Sequence, residues 1–392
     1  MINKKIAVVV CFVLFFATSY ASYSYFSNQT GKALSSSNVV PTEVVDPESL
    51  EPKTEECPIN GKMLTKKQKE KWVTRRPMGV AIENSKDARP QSSLTSADVI
   101  YEAVAEGGIT RFLGIYYCQD APFIGPIRSA RVHFMKVLRE YGDYPLYAHV
   151  GGANCDAESG SGCANGAKAD SLGLIRKLGW DGYNDLNQFG VPFPYYWRDY
   201  ERLPNVATEH TVYSSTSKLW DYAKIKRKLT NVDEEGISWD KTFTSWKFQD
   251  DAKDSEKGTT SKIELGFWSS FATEMGVVWN FDAKSNSYKR VNGGAPHTDK
   301  NNSKQITSKN VIVVFAKESP ANDGYDGGHI LYQLSGTGDA LIFQNGKAFK
   351  ATWDKEDEET RMKFFDEKDK ELSMVRGQVF IEILPIGNKV TY

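Results

Sequence analysis

After about residue 240 the chain breaks into short runs of β-branched and aromatic residues. They are Ile263–Trp268, Val277–Phe281, Val311–Ala316, His329–Leu334, Ala340–Phe343, Arg361–Phe365 and Val379–Leu384. Turn chemistry divides them, at Asn292-Gly293-Gly294, Ser335-Gly336-Thr337-Gly338 and Asn345-Gly346. Runs this short, so divided, pack as strands joined by tight turns, which restricts this half to mostly antiparallel β. Gln344-Asn345-Gly346-Lys347, between Ala340–Phe343 and Ala348–Trp353, predicts a two-residue hairpin.

The pattern upstream is different. Met78–Ile82, Val99–Ala105 and Phe112–Cys118 read as strands, with Gly107-Gly108 allowing a tight turn or bulge between the last two. Gly125-Pro126-Ile127-Arg128-Ser129 then opens a helical stretch that Gly142 stops, and Leu146–Val150 is the next strand. A short helix is predicted at Leu172–Leu178 and a clearer one at Ser214–Lys228. Strand–helix–strand alternation argues an α/β unit with a mixed sheet. The whole is therefore expected to be α+β, with an N-terminal α/β domain over 77–230 and a β domain over 240–392.

The compartment is read from the first residues. Lys4 and Lys5 precede the apolar run Ile6–Ala17 and the small-residue stretch Thr18-Ser19-Tyr20-Ala21-Ser22. Residues 1–26 thus read as a signal peptide cut after Ala21, or as an uncleaved membrane anchor over Ile6–Phe26. Either way the bulk of the chain lies outside the cytoplasm, secreted or membrane-anchored. Residues 27–76 read as a disordered stalk or linker, rich in Ser, Thr, Pro and Glu and then turning basic. Its basic part, 62–76, reads as a solvated linker or short helix, with contact to anionic lipid or wall polymer as the alternative.

Of five cysteines, Cys57, Cys118, Cys155 and Cys163 lie beyond the apolar run. An even number in an oxidising compartment suggests two disulfides. Cys155 and Cys163 flank a flexible loop and are paired locally, which leaves Cys57 with Cys118; free thiols are the alternative. No C-x-x-C or H-E-x-x-H is present, so neither metal nor cofactor is expected.

Lys plus Arg number 49 against 50 Asp plus Glu. That balance argues against a general nucleic-acid binder. Ser215-Thr216-Ser217-Lys218 matches S-x-x-K, but no K-T-G follows, so it reads as helix capping. Asp299–Ser303 resembles half a calcium loop without its glycine and reads as a polar turn. The aromatic stretch Phe189–Tyr200 reads as core, with sugar or peptide stacking as the alternative.

The best local cluster is Glu102, Glu106, Thr110, Arg111, Arg128, Ser129 and Arg131. Arg128 and Arg131 stand at a predicted helix start, where guanidiniums suit a carboxylate or phosphate. Glu102, Glu106 and Arg111, from neighbouring strands, would order them. His149 at a strand end, His210 and Arg198 would line the rim. The opposing reading is an internal ion-pair network in which the acids neutralise the arginines.

Several of these segments also resemble a known family. Ala88-Arg89-Pro90-Gln91-Ser92, Ala97–Glu102, Glu106–Phe112, Gly125–Arg131 and His149–Gly152 are similar to the N-terminal part of the YerB-like family of bacterial envelope proteins. Tyr288-Lys289-Arg290, His297, Gly336-Thr337-Gly338, Thr352-Trp353 and Arg361 with Phe365 resemble its C-terminal β domain. The resemblance implies an exported protein with no established reaction. The family is often lipid-anchored, but Cys11 lies mid-run after Val10, which departs from a lipidation site. The expected function is to bind an anionic ligand or cell-wall partner, a wall fragment or an envelope protein, through the arginine-rich cleft. The alternatives are a peptidoglycan hydrolase or transferase using Glu and His groups, and a non-catalytic scaffold.

Overall fold

The computed structural model describes residues 14–22, 24 and 51–392. Most of the expected signal or anchor (1–26) and residues 27–50 of the expected stalk lie outside the described residues. Residues 14–22 are helical and exposed. Among the described residues no helix is long and apolar enough to cross a membrane. Pro52–Tyr392 forms one compact unit.

The second half of the expected stalk is folded, which corrects that reading. Strand β1 (Lys53–Glu56) pairs antiparallel with β2 (Met63–Thr65). Helix α1 (Lys66–Trp72) follows, opened by a capping box between Thr65 and Gln68. The stretch is too polar to order itself. It is held by Ile59, Leu64 and Trp72, all buried, and by the Cys57–Cys118 disulfide. Nor are its last two arginines free for lipid or wall polymer. Arg75 lies 3.5 Å over the Trp220 ring, and buried Arg76 donates to the Thr230 and Asp143 carbonyls.

The fold is α+β. From the N-terminal half come β3 (Met78–Glu83), β4 (Val99–Glu106), β5 (Ile109–Tyr116), β6 (Leu146–His149) and β7 (Asp185–Asn187). Helices α2 (Val132–Leu138), α3 (Ser171–Lys177) and α4 (Thr216–Arg227) alternate with them or follow. The C-terminal half begins with a small antiparallel sheet containing β8 (Lys262–Leu265), β9 (Val277–Asp282) and β10 (Ser287–Asn292). It continues with β11 (Asn310–Pro320), β12 (Ile330–Gln333), β13 (Gly336–Gln344), β14 (Lys347–Lys355), β15 (Lys363–Phe365) and β16 (Val379–Pro385).

The main sheet does not respect the expected boundary near residues 230–240. Its order is β15-β14-β13-β11-β16-β4-β5-β3-β6-β7, with β12 on the far end of β11. The seam is β16 beside β4, parallel, with Val379 opposite Val99 and Glu382 opposite Glu102. The last long strand is thus inserted between the two halves. Parallel strands buried on both faces read as near-continuous apolar runs, and VFIEIL at 379–384 is one but for Glu382.

Local chemistry explains the turns. Asn345 and Gly346 both have positive φ, as a tight hairpin between β13 and β14 requires. Gly107 and Gly108 (φ 56° and 85°) do the same between β4 and β5. The half calcium loop fastens the fold. Its Asp299 is fully buried and accepts from the Ser93 and Thr95 backbones and the Thr95 hydroxyl, latching the C-terminal half to the N-terminal one. Ser215 of the S-x-x-K motif accepts from the Lys218 backbone as a helix cap.

Candidate functional site

The candidate cluster is set by the register of three strands. Glu83 on β3 lies opposite Arg111 on β5, and Arg111 lies opposite Ala103 on β4. Arg111 and Glu83 therefore share one face, and Glu102, opposite Phe112, points to the other. Simple alternation would put Glu106 on the Glu102 face. A bulge between Val104 and Glu106 inserts one residue and turns Glu106 over to the arginine face.

The bulge divides the expected cluster. Glu106, Arg111, Arg128 and Arg131 come together, joined by Glu83, which sequence reasoning missed. Arg111 donates to Glu106 at 3.1 Å and lies 3.8 Å from Glu83. Arg131 is tightly paired with Glu106, and Arg128 with Glu83 at 2.5 Å. Ser129 contributes its backbone carbonyl, which accepts from Arg111. Arg131 is itself the cap residue of α2, in extended conformation, and its side chain turns back to the strand instead of facing a ligand.

Three guanidiniums thus meet two carboxylates. Burial pushes the Glu106 carboxyl up, but the Arg131 and Arg111 charges and their hydrogen bonds outweigh it and hold its pKa down to about 2. Burial, then Arg111, lowers Arg131 to about 10. The side chains of Arg111 and Arg131 are 2% and 5% exposed, that of Arg128 23%. The expected open cleft is therefore replaced by an ion-pair network in which Arg111, Arg131 and Glu83 are buried and only Arg128 and Glu106 are partly exposed. The reason is the tight pairing of three adjacent strands with the α2 start, which leaves no gap over Arg111.

Glu102 belongs to a second network on the opposite face of β4. It is fully buried, accepts from Asn84 and Thr110, and is tightly paired with Arg290 of β10, also fully buried. Arg290 contacts His297 Nδ1 at 2.6 Å, and His297 Nε2 contacts Gln91 at 2.7 Å. Its guanidinium lies 4.9 Å from the Phe380 ring centre. Burial, then the neighbouring Glu102, holds the Glu382 carboxyl well above the usual range, against the pull of Arg290. This network joins the two halves and has no route to a substrate.

The remaining candidates are scattered. His149 is fully buried, with Nε2 2.6 Å from Asp185 and Nδ1 2.6 Å from the Gly151 carbonyl. Arg198 donates to the Thr208 carbonyl and the Thr211 hydroxyl. His210 is 9% exposed. Neither Arg198 nor His210 bonds to any arginine or acid of the cluster. The aromatic stretch is split: Tyr196 is core, but Phe189 and Phe193 are 77% and 80% exposed. Both disulfides are present, Cys57–Cys118 and Cys155–Cys163. Cys57, Cys118 and Asp98 cluster closely enough for a metal, but the disulfide occupies both sulfurs.

Known proteins share this architecture. Residues 64–230 match the family described as "Protein of unknown function (DUF3048) N-terminal domain", and residues 267–381 match the corresponding C-terminal domain. The "Putative lipoprotein YerB" of Bacillus subtilis (strain 168) is 30% identical over 325 residues, 81% of this chain and 84% of that one. The chain belongs to the YerB-like DUF3048 family. The crystal structure of the YerB protein from Bacillus subtilis superposes with a TM-score of 0.65 at 24% identity, covering 86% of this chain and all of that one. Family and fold are thereby shared. The two matched segments flank residues 231–266, yet their strands join in one sheet at the β16–β4 seam.

Proposed function

We propose that this protein is a non-catalytic component of the bacterial cell envelope, held or secreted outside the cytoplasm, that serves as a rigid scaffold for a cell-wall partner. The relative named as a lipoprotein and the two disulfides support the compartment. The observation that carries the scaffold role is the sealing of Arg111 and Arg131 against Glu106. Groups committed to each other hold a shape and do not turn over a substrate. No carboxylate of the cluster faces a histidine across an open space, as acid–base hydrolysis would need. Digestion of purified sacculi by the full chain tests the role. The expected result is no soluble fragment above the buffer control; release of muropeptides overturns it.

A second reading keeps the anionic wall ligand at Arg128. The surplus positive charge of the cluster and the partial exposure of Arg128 favour it. Muropeptides and teichoic fragments are titrated against wild type and Arg128→Ala. Binding lost in the variant supports this reading; equal binding, or none, removes it.

A further inference from the structure

The loop after β7 exposes what a folded chain ordinarily hides. Residues 186–197 carry no charge, and Phe189 and Phe193 at the tip stand almost wholly in solvent. The exposure is built in. The Asn187 carbonyl accepts from the Gly190 and Val191 backbones, and its side-chain oxygen accepts from those of Gly151 and Phe189. Val191, between the two phenyls, is buried and pins the loop. A held-out apolar patch of this kind marks contact with another body.

A basic helix end lies beside that tip. Helix α4 runs along the loop. Lys218 Nζ is 5.6 Å from the Trp197 ring centre, and the Tyr222 ring is 4.8 Å from that of Tyr195. The Tyr222 hydroxyl donates to the Gly190 carbonyl at 3.4 Å. The contacts thus approach the tip as the helix approaches its C-terminus. Ile225 and Lys226 follow Tyr222 by three and four residues, one turn further on the same side. Lys224, Lys226, Arg227 and Lys228 fill four of the five positions from 224 to 228, with exposed Ile225 among them. A helix C-terminus favours a cation, but four exceed that need. Among the described residues none of the four makes an ion pair; Arg227 donates to the Gly182 carbonyl. Asp221 on the same helix and Asp181 beside Gly182 are exposed and pair with none of them.

Area and charge together select the occupant. Two phenyl side chains offer roughly 300 Å² of apolar surface, well under the about 800 Å² that each side of a stable protein interface buries. A bilayer needs no complementary shape. It takes apolar side chains into the boundary between headgroups and acyl chains, while lysines and arginines around them meet anionic headgroups.

We propose that the loop tip at 189–193 and the basic end of α4 form a docking surface for an anionic phospholipid bilayer. Phe189 and Phe193 enter the headgroup boundary, and Lys224, Lys226 and Lys228 meet the headgroup phosphates. The folded part thereby takes a fixed face towards the membrane. This goes beyond the scaffold reading and holds or fails independently of it.

A polarity-sensitive fluorophore on the full chain tests it. Cys11→Ser leaves a single reactive thiol, introduced by Phe193→Cys or, as a control, by Lys347→Cys. Lys347 is exposed on β14, near the opposite end of the main sheet from β7. Each labelled chain is mixed with vesicles of phosphatidylglycerol or of phosphatidylcholine. The apolar run at 6–17 can enter either vesicle, so the contrast between lipids and between label positions is what is read. A blue shift is expected at position 193 with phosphatidylglycerol, none there with phosphatidylcholine, and none at position 347 with either. Adding Lys224→Gln and Lys226→Gln, both exposed, is expected to abolish the shift with an unchanged unfolding midpoint. Equal shifts in the two lipids, a shift at both positions, no shift, or a shift undiminished by the lysine changes overturns the proposal. So does a shift on raising protein concentration without vesicles, which names a second copy of the chain as the occupant.

Discussion

Glu102 and Glu106 stand four residues apart on one strand, yet they sit on opposite faces and in different kinds of network. Glu102 is sealed with Arg290, a partner 188 residues away, and closes the junction between the two halves. Glu106 is 21% exposed and meets Arg111 and Arg131 from its own half, in a cluster whose edge reaches solvent at Arg128. The difference teaches that arginine–carboxylate pairs of similar chemistry do different work according to what surrounds them. The first is a fastening in a dry interior, where each charge needs the other. The second stiffens a surface-reaching corner, where water replaces part of what a lost partner supplied.

The sharpest way to break this contrast is to remove Arg290. Arg290→Ala leaves two buried carboxyl groups, Glu102 and Glu382, without their guanidinium and is expected to cost about 3–5 kcal/mol in denaturant unfolding. Combining Arg290→Met with Glu102→Leu is expected to recover most of that loss. A single-variant cost under about 1 kcal/mol would mean that water reaches Glu102 and that the two faces do not differ.

A smaller effect is expected on the other face. Glu106→Gln breaks two charged contacts and is expected to cost about 2 kcal/mol at neutral pH. The pH profile sharpens the point. The folded-state pKa of Glu106, about 2, lies below its unfolded value near 4.3. Its contribution is therefore fully present above about pH 4.3 and is lost as pH falls through about 2. Unfolding midpoints across that window should fall less steeply for Glu106→Gln than for wild type; parallel curves would show that Glu106 titrates normally.

The smallest effect is expected at the exposed edge. Arg128→Ala removes a pair with Glu83, but Glu83 keeps Arg111 at 3.8 Å and the backbone N–H groups of Asn84 and Ser85. The expected cost is about 1 kcal/mol or less, read from the same unfolding curves. A loss as large as that of Arg290→Ala would place Arg128 among the interior fastenings.

Much of the fold was legible because it is local. Alternating and apolar runs marked most of the long strands, Gly107-Gly108 and Asn345-Gly346 marked their turns, and the loop between Cys155 and Cys163 marked its own closure. These signals act within a few residues, where backbone sterics decide. The candidate site was legible only in membership. Glu106, Arg111, Arg128 and Arg131 were found together because their strands and helix start adjoin in sequence. Glu102 was misplaced because one inserted residue reverses every side chain beyond it, so that Glu106 leaves its face, and nothing in the Val104-Ala105-Glu106 triplet announces a bulge. Glu83 was overlooked because its place opposite Arg111 depends on the pairing of β3 with β5, which skips β4.

The chain's own order of residues therefore determined its secondary structure, its disulfide pairing and the concentration of charge near one corner. Only the folded molecule decided which charges remain available. Exposure depends on what packs around a side chain, and for Glu102 that is Arg290 of β10 over it and β16 beside it in the sheet, contributed by segments nearly two hundred residues or more away along the chain. The same holds for residues 53–76, too polar to order themselves, which take their shape from a distant cysteine and a shared core. Propensity is a property of neighbours in sequence, whereas desolvation is a property of neighbours in space.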